Sequence, residues 1–217
     1  MNTPDTRERL LDAAQKLFVE HGIDATSLRN VTTDAEANLA SVNYHFGSKD
    51  ELIQAVFARH LEPLNKERIR LLDELEREAG DTPLYLETTL EAFLKPTFEM
   101  MQNQKSREFV CLLGRLFTES SELKMLIMHQ FQEVQKRYFA ALQRTLPHLG
   151  IIDLSWRVHF MIGAMAHTFA VPEKLSIPSS SEAYNLTEES IMQHLITFAA
   201  AGLRAPVPSQ TNGDNQK

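Results

Sequence analysis

From Leu10 to Leu203 the apolar residues return every three or four positions, and nowhere between turn signals do they alternate one in two. A recurrence near 3.6 gathers side chains on one stripe of a helix, whereas a half-buried strand needs a period of two. The chain is therefore expected to be all-α. Thr3 as N-cap and Pro4 as first helical residue open a helix whose stripe is Leu10, Ala14, Leu17 and Phe18, and Gly22 ends it. Thr26-Ser27 caps a short second helix through Leu28, Val31 and Ala35, and a third covers about Ala40 to Phe46. Ser48-Lys49-Asp50-Glu51 reads as a capping box opening a long helix with Leu52, Ile53, Val56, Phe57, Leu61 and Leu64. Pro63 should kink this helix without ending it, since the pattern resumes at Ile69, Leu72 and Leu75.

Gly80 closes that part, and Thr82-Pro83 is expected to start the next helix. Helices are expected near 83–103, 107–118, 122–146, 154–171 and 188–202, with a loop around Pro178-Ser179-Ser180-Ser181. This divides the chain into a small N-terminal domain over 1–50, a larger helical domain over 51–204 and a disordered tail over 205–217, which has no large aliphatic after Val207.

Composition narrows the function classes. A 43% apolar and 24% charged chain of 217 residues is ordinary for a globular protein. The N-terminus lacks the pattern of a signal peptide, and the longest apolar run, Phe160 to Val171, is short and holds His167. A cytoplasmic protein with no membrane partner is expected. One cysteine, Cys111, excludes a disulfide framework and any multi-cysteine zinc site. The net charge of −7, with six basic against nine acidic residues in positions 1–60, excludes bulk electrostatic capture of nucleic acid.

Residues 27–46 carry the functional signal. Two short helices joined tightly follow the helix-turn-helix plan, whose second helix enters the major groove. In Leu39-Ala40-Ser41-Val42-Asn43-Tyr44-His45-Phe46, Val42 and Phe46 lie four apart and can pack inward, leaving Ala40, Ser41, Asn43, Tyr44 and His45 to face the groove. Small residues permit close approach, Asn can pair with an adenine edge, and hydroxyl and imidazole donors suit phosphates.

The string Val42 to Leu52 (VNYHFGSKDEL), with Thr6 to Ala14 (TRERLLDAA), Gly22 and Thr26-Ser27, resembles the DNA-binding domain of the TetR/AcrR repressor family. The resemblance implies three DNA-binding helices, a larger helical effector domain and a two-fold dimer. It implies that Thr26, Tyr44, His45 and Lys49 hold phosphates, with Arg29, Ser41 and Asn43 nearest the bases and Ser27 and Ala40 in the same interface. The family usually places Gly between the two helices; here the run is Ala35-Glu36-Ala37-Asn38, so either Glu36 tolerates φ > 0 or the turn differs. Beyond residue 60, Leu94-Lys95-Pro96, Leu113-Gly114-Arg115, Leu146-Pro147 and Trp156 to Ala164 look like the effector domain of the fatty-acid-responsive, PsrA-like branch, as do Asn43 before Tyr44 and Glu62-Pro63-Leu64-Asn65.

In the second half, Phe93, Met100, Phe109, Leu113, Phe117, Phe160, Met161 and Met165 are expected to surround a pliable apolar pocket, although each could instead be plain core. Gly163, Ala164, Ala166, Ala199, Ala200 and Ala201 could form a close-packed dimer seam or pack within one subunit. The histidines show no metal-binding spacing, so neither metal nor cofactor is expected, although His159 or His167 could meet a ligand's polar end. No nucleophile with a paired base and no Gly-rich phosphate loop points to an enzyme. The expected function is a ligand-responsive repressor, a homodimer on a palindromic operator in double-stranded DNA, released by an apolar effector. The alternative is a helical lipid-binding or interaction module without DNA affinity.

Overall fold

The computed structural model describes residues 5–116, 120–170 and 187–207, and within them every regular element is helical. The helices are α1 (Thr6–His21), α2 (Leu28–Asp34), α3 (Leu39–Phe46), α4 (Lys49–Ala79), α5 (Leu86–Met100), α6 (Gln104–Arg115), α7 (Ser121–Met128), α8 (Gln132–Thr145), α9 (Ile151–Ala170) and α10 (Glu188–Arg204). No described helix is long and apolar enough to cross a membrane. The loop expected at 178–181, most of the tail and the Thr3-Pro4 start lie outside the described residues; Asp5 occupies the N-cap position of α1.

Two of the departures from the expected helices have a visible physical cause. α5 starts at Leu86 because Thr82 is used elsewhere: its amide and hydroxyl both donate to the Ala79 carbonyl, at 3.1 and 2.7 Å, closing the turn after α4. The helix expected over 122–146 is broken by a 3-10 turn at His129–Phe131. There the Asn65 side chain of α4 donates to the Gln130 carbonyl at 2.8 Å, and the Gln130 side chain donates to the Gln54 carbonyl at 3.2 Å. Backbone drawn toward α4 in this way tightens into the i+3 pattern.

The core has two main parts. The first joins Leu10, Phe18, Val31, Val42, Phe46, Leu52 and Phe57 with Phe109, Leu112 and Leu113 of α6, Leu116 directly after it and Ile127 of α7. The N-terminal helices thus share their core with α6. The second part unites α5, α8, α9 and α10 around Leu94, Phe98, Leu142, Leu154, Met161, Phe169 and Ala200. Gly114 permits the approach of α6 to α9: a Cβ there would stand 2.6 Å from the Ala170 amide nitrogen and 2.8 Å from the Ala166 carbonyl oxygen.

A third cluster fixes α8 to α4 through Leu72, Val134, Tyr138 and Ala141. α4 is continuous through Pro63 and runs from the helix-turn-helix into the second half of the chain. Fully buried positions at Leu52, Val56, Phe57, Leu61 and Leu72 hold it in the core along most of its length. It touches α1 and α3 at one end and α5 and α8 further along.

Candidate nucleic-acid interface and effector cavity

Local chemistry builds the helix-turn-helix. Ser27 and Asn30 form a reciprocal cap at the start of α2, the Ser27 Oγ accepting from the Asn30 amide at 3.2 Å and the Asn30 Oδ1 from the Ser27 amide at 3.1 Å. α2 ends with the Glu36 amide donating to the Thr33 carbonyl at 3.2 Å and the Ala37 amide to the Thr32 carbonyl at 2.9 Å. This bond pair is the Schellman ending, which needs a left-handed residue at the first donor, directly after the helix cap. Glu36 takes that conformation with φ +49°, alone among the described non-glycine residues. Asn38 then caps α3, its Oδ1 accepting from the Ser41 amide at 2.8 Å and the Ser41 hydroxyl at 3.0 Å.

Val42 and Phe46 are buried, so α3 has one possible outer face. Ala40, Asn43 and Tyr44 are exposed on it, Tyr44 to 85%, with Ser41 and His45 half-buried beside them. Tyr44 and His45 meet edge to face at 5.0 Å. Ser27 and Arg29 are exposed at the start of α2. Leu39, 46% exposed at the first position of α3, was not singled out in the sequence; an aliphatic there suits a thymine methyl.

Gly47, at φ +79°, turns the chain into α4 where any Cβ would collide with the Glu51 carboxylate. Ser48 caps α4, accepting from the Glu51 amide at 3.1 Å. Two residues expected to hold phosphates are engaged by the protein itself. Thr26 is buried, and its hydroxyl donates to the Gly22 carbonyl at 2.7 Å, so it clamps the α1–α2 turn instead of facing outward. The Lys49 ammonium, still half-exposed, donates to the carbonyls of Ile23 at 3.0 Å and Asp24 at 3.4 Å.

The N-terminal unit meets the rest of the chain through a polar node. The Gln15 side-chain oxygen of α1 accepts from Arg59 and lies 2.7 Å from the His60 Nε2, both on α4, while its nitrogen donates to the Lys105 carbonyl of α6 at 3.4 Å. His60 stacks on Phe109 at 4.2 Å. Burial, helped by neighbouring Arg59 and opposed by Asp12, pushes its pKa down to about 4.

A cavity of about 620 Å³ lies between α5, α8 and α9. Its walls are Leu90, Phe93, Leu142, Val158, Met161 and Ile162, with Lys136, Gln143 and His159 among the polar residues that border it. Such a volume is in the usual range for small-molecule sites. Of the eight expected pocket residues, Phe93 and Met161 line it. Phe109 and Leu113 instead fill the core shared with the N-terminal helices, Met100 lies between the two cores, and Met165 is buried against the second. Phe160 is 64% exposed and does not line the cavity, and Phe117 lies outside the described residues. The wall from α8 was missed because that helix reads as a charged amphipathic surface helix.

Phe160 belongs to a different feature. Ile151, Ile152, Trp156 and Phe160 of α9 are exposed together, with Phe198 of α10 65% exposed. Gly163 and Ala201 are exposed on the same two helices, whereas Ala166, Ala199 and Ala200 are buried within the chain.

Residues 10–56 match the family model for bacterial regulatory proteins of the tetR family, and residues 91–202 match the model for the tetracyclin repressor-like C-terminal domain. The chain is 38% identical over 76 residues to the nicotine-responsive transcriptional repressor HdnoR of Paenarthrobacter nicotinovorans, covering 35% of this chain and 39% of that protein. It is 26% identical over 145 residues to the transcriptional regulator SrpR of Pseudomonas putida, covering 66% of this chain and 61% of that protein. The matched region thus spans less than two thirds of either relative. Among solved structures, a TetR-family regulator from Bordetella parapertussis shares the fold with a TM-score of 0.63 at 13% identity, covering 91% of this chain and 95% of that one. The fatty acid degradation regulator FadR of Bacillus halodurans gives 0.59 at 12% identity, covering 95% and 100%.

Proposed function

The chain belongs to the tetracycline-repressor family of transcriptional regulators, and from that premise we propose that it is a ligand-responsive repressor binding a palindromic operator as a homodimer. The observation that carries this reading is the outer face of α3. Asn43 and Tyr44 stand free on a helix whose opposite side is anchored by Val42 and Phe46. Asn43 with Ser41 and Arg29 reads bases; Tyr44, His45, Ser27 and Lys49 contact the backbone, with Ala40 allowing close approach. The acidic balance of this segment fits a module that depends on positioned contacts and binds random DNA weakly.

The exposed apolar residues of α9 and α10 supply the dimer contact. A cluster of five large apolar side chains on a soluble chain marks an interaction face, and a self-complementary two-fold contact doubles the few DNA contacts of one subunit. The cavity takes an apolar, acyl-chain-bearing effector, each buried CH₂ contributing about 0.8 kcal/mol. α4, spanning from the operator-facing unit to the cavity, carries the change between the two sites. Binding releases DNA only insofar as it favours a recognition-helix spacing that the operator rejects.

Nuclease footprinting on DNA upstream of the protein's own gene tests the reading. Protection of an inverted repeat, with half-sites roughly 34–36 Å apart, is expected. An asymmetric site filled by one monomer would overturn it.

A further inference from the structure

The cavity is free of acid in a chain that is rich in it. Asp and Glu number 29 against 22 Lys and Arg, yet the lining contains Lys136 and neither Asp nor Glu. Lys136 is exposed at the mouth and forms no ion pair among the described residues. Its neighbours on the same helix differ: Arg137 pairs with Asp73 and Glu76, and Arg144 with Glu76.

A second cation lies behind the apolar wall. Arg68 of α4 is 2% exposed and makes no ion pair among the described residues. Its guanidinium donates to three neutral oxygens: the Phe93 carbonyl at 2.9 Å, the Asn65 Oδ1 at 3.3 Å and the Thr97 hydroxyl at 2.8 Å. It lies 4.0 Å from the centre of the Phe93 ring, and the Tyr138 hydroxyl donates to the Arg68 carbonyl at 2.8 Å. Phe93 and Tyr138 are cavity residues, so one layer of aromatic side chains separates the cation from the space. Burial pushes the Arg68 pKa down to about 10, which leaves it charged at neutral pH.

The hydrogen bonds have a structural use, because they tie α4 to α5 at the Phe93 carbonyl and the Thr97 hydroxyl. A neutral donor would serve that purpose. The charge is what remains unaccounted for, because a buried cation is costly unless an opposite charge meets it.

We infer that the effector is an organic anion, with an apolar body inside the cavity and one anionic head at the mouth beside Lys136, drawn also by the field of Arg68. This rests on reading the cavity as the effector site. A neutral molecule with the same body forfeits both attractions, and a cation meets repulsion from both.

The experiment titrates the DNA-free protein with decanoate, 1-decanol and decylamine, and with 1-naphthoate against 1-naphthalenemethanol, by calorimetry. In at least one of the two bodies the anion is expected to bind on the order of tenfold tighter than its neutral counterpart, with decylamine weakest in the decyl series. The preference should shrink as salt rises and in Lys136→Gln, while the neutral compound's affinity stays unchanged. Arg68→Gln, which keeps donors and removes charge, should reduce it further; if that variant does not fold, Lys136→Gln carries the decision. Equal or tighter binding of the neutral members, absence of binding by either anion, or a preference unchanged in Lys136→Gln would overturn the inference. A charge preference that holds while no operator is footprinted would refute the regulator reading alone.

Discussion

Replacing Glu36 with glycine isolates a strain that the turn between α2 and α3 holds. The Schellman bonds from Glu36 and Ala37 require the left-handed conformation that Glu36 adopts at φ +49°. For an L-residue with a Cβ that conformation costs roughly 1–2 kcal/mol. Glycine removes the cost but brings about 0.5–1 kcal/mol of extra backbone entropy in the unfolded chain. The difference is a gain of roughly 0.5–1 kcal/mol, or about 2 °C in melting temperature for a chain of this size. A carboxylate at a helix C-terminus also opposes the dipole, so Glu36→Gln is the control that removes charge and keeps the strain. Urea midpoints of the three proteins at low and moderate salt separate the two contributions. A Glu36→Gly midpoint at or below that of Glu36→Gln would refute the strain account.

Tyr44→Ala should weaken binding to all DNA sequences, whereas Asn43→Ala should change which sequences a binding-site selection returns; identical preferences for wild type and Asn43→Ala would remove its base-reading role. His60 has a folded pKa of about 4, below its unfolded value of 6.5, so the unfolded chain binds more protons in that interval and stability falls as pH drops from 6.5 to 4. Partial exposure reduces the effect to about 1–2 kcal/mol, read as a urea midpoint that declines across this window less steeply in His60→Gln. Gly114→Ala drives a methyl into the α9 backbone and should cost about 1–3 kcal/mol, seen as a lower melting temperature; a neutral outcome would mean that α6 and α9 separate freely.

The sequence by itself determined the elements whose cause is local. Helical period excluded strands, and Ser27 and Ser48 marked helix starts. These are interactions within a few positions of the chain, so spacing alone reveals them. Thr26 shows where local reading stops: a hydroxyl beside a cap can face solvent or a carbonyl, and only the returning α1–α2 turn turned it inward toward Gly22.

The cavity was decided by tertiary structure. α9 carries Ile151, Trp156, Val158, Phe160, Met161, Ile162 and Met165 around much of its circumference, so its periodicity cannot say which stripe meets its own chain. Packing against α6 and α10 chose Met165 and Met161 for the inside and left Phe160 and Trp156 exposed. The same packing brought α8 in as the second wall. It also buried Arg68, unremarkable among the arginines of α4, behind the Phe93 ring with no ion pair among the described residues. A charge's surroundings depend on helices distant in sequence, and these exist only once the chain has folded.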